Sequence, residues 1–154
     1  MEHPARISLY KHASAPLQAM INLSAKVKQS SLGARLVELV FLRVSQINGC
    51  GVCVDMHWRA LVKEDVDPRH LNSVAAFREA PWFSGRERAA LNWAEAVNAI
   101  PLSQPGDEDF AELKRHFSDE EIAELSYAIA VIRGWNLINV SLRSQIPVNP
   151  PPGM

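Results

Sequence analysis

The sequence predicts an all-α protein, an oligomeric bundle of about six or seven helices, on three observations. Apolar residues recur at three- and four-residue intervals over most of the chain, and no alternating run of strand type is convincing. Ser84-Gly85-Arg86-Glu87 and Ser118-Asp119-Glu120-Glu121 both read as capping boxes, each opening a long helical run. Neither a G-x-G-x-x-G nor a P-loop pattern occurs.

Taken in order, residues 1–14 read as an extended N-terminal arm of one domain spanning 1–146. From Ala15 to Ser30, Leu17, Met20, Ile21, Leu23 and Val27 recur at helical spacing, with Lys26 and Lys28 expected to face away. Gly33 punctuates. Ala34 to Ile47 is apolar on most of its circumference, which predicts a helix buried on several sides. Its few polar residues, Glu38, Arg43 and Gln46, should each have a partner or a purpose. Asn48-Gly49 signals a helix end, and a new helix runs from Cys50 or Gly51 to Lys63. Pro68 suits a helix start, with His70 to Phe77 expected to be helical. The two capping boxes open helices ending near Ile100 and Ser144, with a loop at 101–106 and a short charged helix from Asp107 to Phe117 between them. Residues 147–154 hold four prolines and predict an extended tail.

Composition narrows the function. The chain has 154 residues, 47% hydrophobic and 21% charged, enough for one globular domain with a substantial core. A net charge of -1 without a basic stripe argues against nucleic acid as a partner. No apolar run is long enough to span a bilayer, and the first residues lack a secretory pattern, so a soluble cytoplasmic protein is expected. The last helix has little polar surface along Tyr127 to Trp135, more apolar area than a small bundle hides, which predicts a homo-oligomer.

The only two cysteines are Cys50 and Cys53, with His57 one turn further on. In a reducing compartment a lone C-x-x-C pair is more readily catalytic than a structural staple. A helix N-terminus favours the thiolate, and Cys53 and His57 at i and i+4 share a face. Glu38, an acid on an apolar helix, is the carboxylate expected to orient His57, because an antiparallel turn would bring the two to similar heights. An ion pair between Glu38 and Arg35 or another basic residue is the plainer alternative. A zinc site built from Cys50, Cys53 and His57 with His70 or Glu38 is another, weakened by the absence of a second ligand pair. Val54 stands where c-type haem attachment needs a histidine. Asp55 is read as support for the first helical turn, the four tryptophans as core or subunit contacts, and the Glu/Arg run from Glu79 to Glu95 as a solvated face.

The spacing Glu38, Cys50-x-x-Cys53, His57, with Leu42-Arg43-Val44-Ser45-Gln46-Ile47-Asn48-Gly49 before it, resembles the AhpD-like alkylhydroperoxidases of the carboxymuconolactone decarboxylase superfamily. So do Arg78-Glu79-Ala80-Pro81 and Ser84-Gly85-Arg86-Glu87-Arg88, and the likeness extends from Tyr10 to Arg143. The resemblance implies a thiol-dependent peroxidase without a bound cofactor or metal, assembled as trimers or hexamers. Cys53 would be the peroxidatic cysteine and Cys50, nearer the surface, the resolving one. Glu38 and His57 would form the proton relay, and an external dithiol, lipoyl or thioredoxin-like protein would reduce the pair. Some members carry a histidine immediately before the second cysteine, where this chain has Val52. Others decarboxylate a lactone without cysteines, so membership alone does not assign the reaction. A general thiol-disulfide oxidoreductase or redox sensor using the same thiols is the second reading.

The last helix carries a faint echo of the active-site segment. Glu124-Leu125 matches Glu38-Leu39, and the same offset sets Asn136, Asn139 and Arg143 against Cys50, Cys53 and His57. Few other positions match, so descent and chance both stay open.

Overall fold

The computed structural model describes residues 4–150, which form eight α-helices and one 3-10 turn with no strand. They are α1 (Leu9–His12), α2 (Ser14–Lys28), α3 (Ala34–Asn48), α4 (Gly51–Lys63), α5 (Pro68–Asn72), α6 (Gly85–Asn98), α7 (Asp107–His116) and α8 (Asp119–Leu142). Six of the helices have ten residues or more. None is long and apolar enough to cross a membrane among the described residues. Residues 147–150 are not helical, and the rest of the expected tail lies outside the described residues.

Helix α3 is the hub, packed against α2, α4, α6 and α8. Leu36 through Leu42 and Val44 are all buried on it, which is why its sequence is apolar nearly all round. Its polar residues have the partners that burial demands. Arg43 Nε donates to Glu95 Oε1 at 2.7 Å, and Ser45 Oγ accepts from Asn136 Nδ2 at 3.0 Å. Asn48 joins Asn98 and Asn136 in a chain of side-chain amides that ties the end of α3 to α6 and α8.

Both capping boxes form. Ser84 Oγ accepts from Glu87 N–H and Ser118 Oγ from Glu121 N–H, while each glutamate accepts from the backbone amide of its cap. These satisfy first-turn amides that would otherwise have no partner.

The expected arm is partly helical. Ser8 caps the four-residue α1, and Pro16 lies in the first turn of α2, where no intrahelical bond is lost. One turn that buries nothing leaves no apolar period to read. The helix expected over 70–77 divides into α5 and a 3-10 turn at Val74–Ala76. Ser73 stands at the break, its hydroxyl donating back to His70 O at 2.8 Å and competing with the helical ladder. The Glu/Arg run is also more than a solvated face. Arg88 donates to the carbonyls of Phe77, Arg78, Ala80 and Phe83, closing the loop ahead of α6.

Candidate active site

The site is built on the turn between α3 and α4. Gly49 takes the left-handed conformation at φ 69°, which glycine adopts without a Cβ penalty. Its N–H bonds Gln46 O, and the Cys50 N–H reaches back to Ser45 O at 3.1 Å, the paired bonds of a Schellman end. This turn folds α4 back along α3. It makes Cys50 the N-cap of α4 and puts Cys53 in its first turn.

The two sulfurs are joined as a disulfide. Contrary to the expectation for a resolving cysteine nearer the surface, Cys50 is 1% exposed and Cys53 fully buried. Packing explains the difference. The chain beyond α8 returns across the start of α4, so that a Cβ on Gly51 would lie 3.0 Å from Ile146 Cδ1.

Twelve residues before Cys50, on α3, the carboxylate of Glu38 meets His57 as the antiparallel hairpin requires. Glu38 Oε2 and His57 Nδ1 are 2.7 Å apart, and both residues are buried. The other oxygen, Oε1, takes Lys28 Nζ at 2.5 Å. Burial pushes the Glu38 carboxyl up, but the hydrogen bonds and charges of His57 and Lys28 outweigh it and hold the group below its ordinary value. An ionised carboxylate only accepts, so Nδ1 must carry the proton and Nε2 is left as the basic nitrogen. The Phe41 ring packs edge-on against the imidazole, centroids 5.0 Å apart, fixing its plane.

Cys53 and His57 both line a cavity of about 910 Å³. Its walls are mainly apolar, with Ile7, Leu9, Leu17, Ile21, Phe41 and Met56 prominent. That volume lies within the ordinary range for small-molecule sites. Cys50 is not on the wall. At the far side of the sulfur, Asn139 Nδ2 approaches Cys53 Sγ at 3.4 Å.

The structure thus brings Glu38, Cys50, Cys53 and His57 together, and it adds residues that sequence reasoning did not find. Lys28, expected to face away, turns inward from the end of α2, because its long stem can follow the apolar surface past Phe41. Trp135, expected in the core or a subunit contact, lines the cavity, its Nε1 donating to Ser24 Oγ at 2.9 Å. Asn139 had a signal in the offset echo, which pairs it with the very cysteine it touches. Other expectations resolve differently. Arg35 pairs with Glu87 rather than Glu38. Asp55 lies beyond the first turn of α4 and pairs with Arg59. His70 stacks on Trp82, away from the cysteines, and no group of three His, Cys, Asp or Glu side chains among the described residues is arranged to hold a metal ion.

The model of the carboxymuconolactone decarboxylase family matches residues 15–96, more than half the chain. The chain belongs to the carboxymuconolactone decarboxylase family. The uncharacterized protein YdfG of Bacillus subtilis is 31% identical over 137 residues, covering 89% of this chain and 93% of YdfG. A protein of unknown function from Agrobacterium tumefaciens, ATU0492, has been suggested to be the antioxidant defence protein AhpD. Its crystal structure matches with a TM-score of 0.90 at 38% identity, over 95% of this chain and 100% of that one. The debrominase Bmp8, in complex with 2,3,4-tribromopyrrole, shares the fold with a TM-score of 0.80 at 23% identity, over 91% of this chain and 74% of its own. The fold is AhpD-like, and it carries the Cys50–Cys53 pair as a disulfide at the start of α4.

Proposed function

We propose that this protein is a thiol-dependent peroxidase that reduces organic hydroperoxides through a Cys50–Cys53 dithiol/disulfide cycle, with Glu38 and His57 as its proton relay. One observation carries the reading. Cys53, already bonded to Cys50, opens onto a large apolar cavity beside a buried imidazole-carboxylate pair. Hydrogen peroxide has no use for such walls, whereas an alkyl or aryl hydroperoxide gains from burying its apolar part there.

In the reduced protein, Nε2 of His57 takes the Cys53 proton and Glu38 stabilises the imidazolium. The thiolate attacks the terminal peroxide oxygen. The S–O bond forms, the O–O bond breaks, and the leaving alkoxide takes a proton from the imidazolium to depart as an alcohol. Cys53 is left as a sulfenic acid. Attack by Cys50 on that sulfur forms the disulfide and releases water, since the pair is close enough to bond within one chain. An external dithiol, borne by a small molecule or by a lipoyl or thioredoxin-like protein, takes the oxidation in turn. The burial of both sulfurs favours small substrates over the folded disulfides that a general thiol-disulfide oxidoreductase or sensor would meet.

The same reading includes a homo-oligomer, trimer or hexamer, because Tyr127, Leu137 and Val140 lie exposed along α8.

The test is a thiol count. Prereduced protein given stoichiometric cumene hydroperoxide should lose two thiols per chain with no intermolecular crosslink. Thiols that survive peroxide yet react readily with small disulfides would sink the peroxidase reading in favour of the oxidoreductase.

A further inference from the structure

We propose that Asn139 is a catalytic residue of this site, its side-chain N–H donating to the Cys53 sulfur and stabilising it as a thiolate. This rests on the reading of Cys53 as the reactive thiol and adds a group from the opposite helix to it.

Geometry comes first. Nδ2 of Asn139 lies 3.4 Å from Cys53 Sγ, a normal separation for N–H donation to sulfur. A neutral thiol or disulfide sulfur is a weak acceptor, but a thiolate is a charged one, and hydrogen bonds to charged groups are about twice as strong. The contact therefore gains most in the deprotonated state. An interaction of that kind lowers the free energy of the thiolate rather than only filling space.

The surroundings also favour one direction of the amide. Ser144 Oγ donates to Asn139 Oδ1 at 2.7 Å, leaving Nδ2 on the sulfur side. The opposite flip would face the carbonyl oxygen against sulfur lone pairs, and against full negative charge once the thiol ionises. Ser144 is itself held. Arg143 takes a left-handed turn at φ 56°, which brings the Ser144 N–H onto Asn139 O at 2.9 Å. Asn139 and Ser144 both line the cavity with Cys53, so the donor acts where the substrate arrives.

The same bond serves the reductive half of the cycle. When the thiolate of an external dithiol attacks Cys50, a new S–S bond forms there and the Cys50–Cys53 bond breaks. The electron pair departs with Cys53, and the second thiol of the dithiol then displaces Cys50. A donor on Cys53 makes it the better leaving group and directs attack to Cys50.

Alkylation of Cys53 by iodoacetamide against pH, in reduced Cys50→Ser protein, reads the thiolate directly and uses no peroxide. Asn139→Leu should raise the pH of half-maximal rate by about one pH unit, and Asn139→Asp by more, since its carboxylate faces the sulfur. Ser144→Ala should shift it the same way by less, and it leaves the Asn139 side chain in place should the others fold poorly. Profiles that superimpose on the parent in all three variants overturn the proposal. A shifted profile in a protein that consumes no peroxide would instead sink the peroxidase function and keep this role for Asn139.

Discussion

The first turn of α4 has two sides, and its two cysteines divide them. Cys53 faces the cavity, with Asn139 on its sulfur and His57 one turn along. Cys50 caps the helix and is off the cavity wall, although both residues are buried. Residues three apart in sequence, chemically alike and bonded to each other, thus have different surroundings. Spacing alone does not separate their roles, because both sulfurs lie at the same helix end and share its dipole. What separates them is the cavity wall, which Cys53 lines and Cys50 does not.

The strongest way to break this comparison is to remove each sulfur in turn. Cys53→Ser should abolish peroxide consumption. Cys50→Ser should still react once, leaving a sulfenic acid on Cys53 that dimedone traps and mass spectrometry locates. Should the Cys53 variant keep the single turnover and the Cys50 variant lose it, the roles are reversed and the cavity is not the substrate's entrance.

Next in size is the carboxylate behind the imidazole. Glu38→Gln keeps the shape but gives His57 Nδ1 no charged acceptor, and the rate of Cys53 oxidation should fall about 10²-fold, within the usual range for acid-base assistance. The same variant has a stability signature. The folded carboxyl is held below its ordinary 4.5, so its contribution is complete above pH 4.5 and drains away as pH falls through the lower folded value. Urea unfolding of the parent should therefore weaken below pH 4.5, with a shallower decline in Glu38→Gln. Equal slopes would mean that Lys28 and His57 do not hold the carboxylate in solution.

How much of the site was legible follows from where its parts come from. The hairpin from α3 to α4 is local. Asn48-Gly49 marks its turn, the apolar run marks its buried helix, and i, i+4 spacing puts Cys53 and His57 on one face. Glu38 followed from counting outward from the turn. Lys28, Trp135 and Asn139 belong to α2 and α8, whose approach is set by packing against α3, and no local period encodes which of their side chains meets a sulfur. Lys28 looked solvated because a pattern records the position of a Cα, not the reach of a long stem. The packing at the start of α4 was equally hidden, since Ile146, which lies against Gly51 beside Cys50, comes from beyond the last helix.

That packing sets up the smallest effect. Ile146 Cδ1 lies 3.0 Å from the position of a Cβ on Gly51, beside Cys50, yet the side chain is still 52% exposed. About half of an isoleucine's burial energy, roughly 1 kcal/mol, then holds the returning chain down. A dithiol that must reach Cys50 has to displace it. Ile146→Ala should accelerate reduction of the disulfide by dithiothreitol about fivefold, the factor that roughly 1 kcal/mol commands, while the rate of Cys53 oxidation by peroxide stays within about twofold. An unchanged reduction rate would mean that the reductant enters through the cavity and attacks Cys53 instead. In that case the two sides of the turn would share one door, and the donor on Cys53 would act on the attacked sulfur rather than on the leaving one.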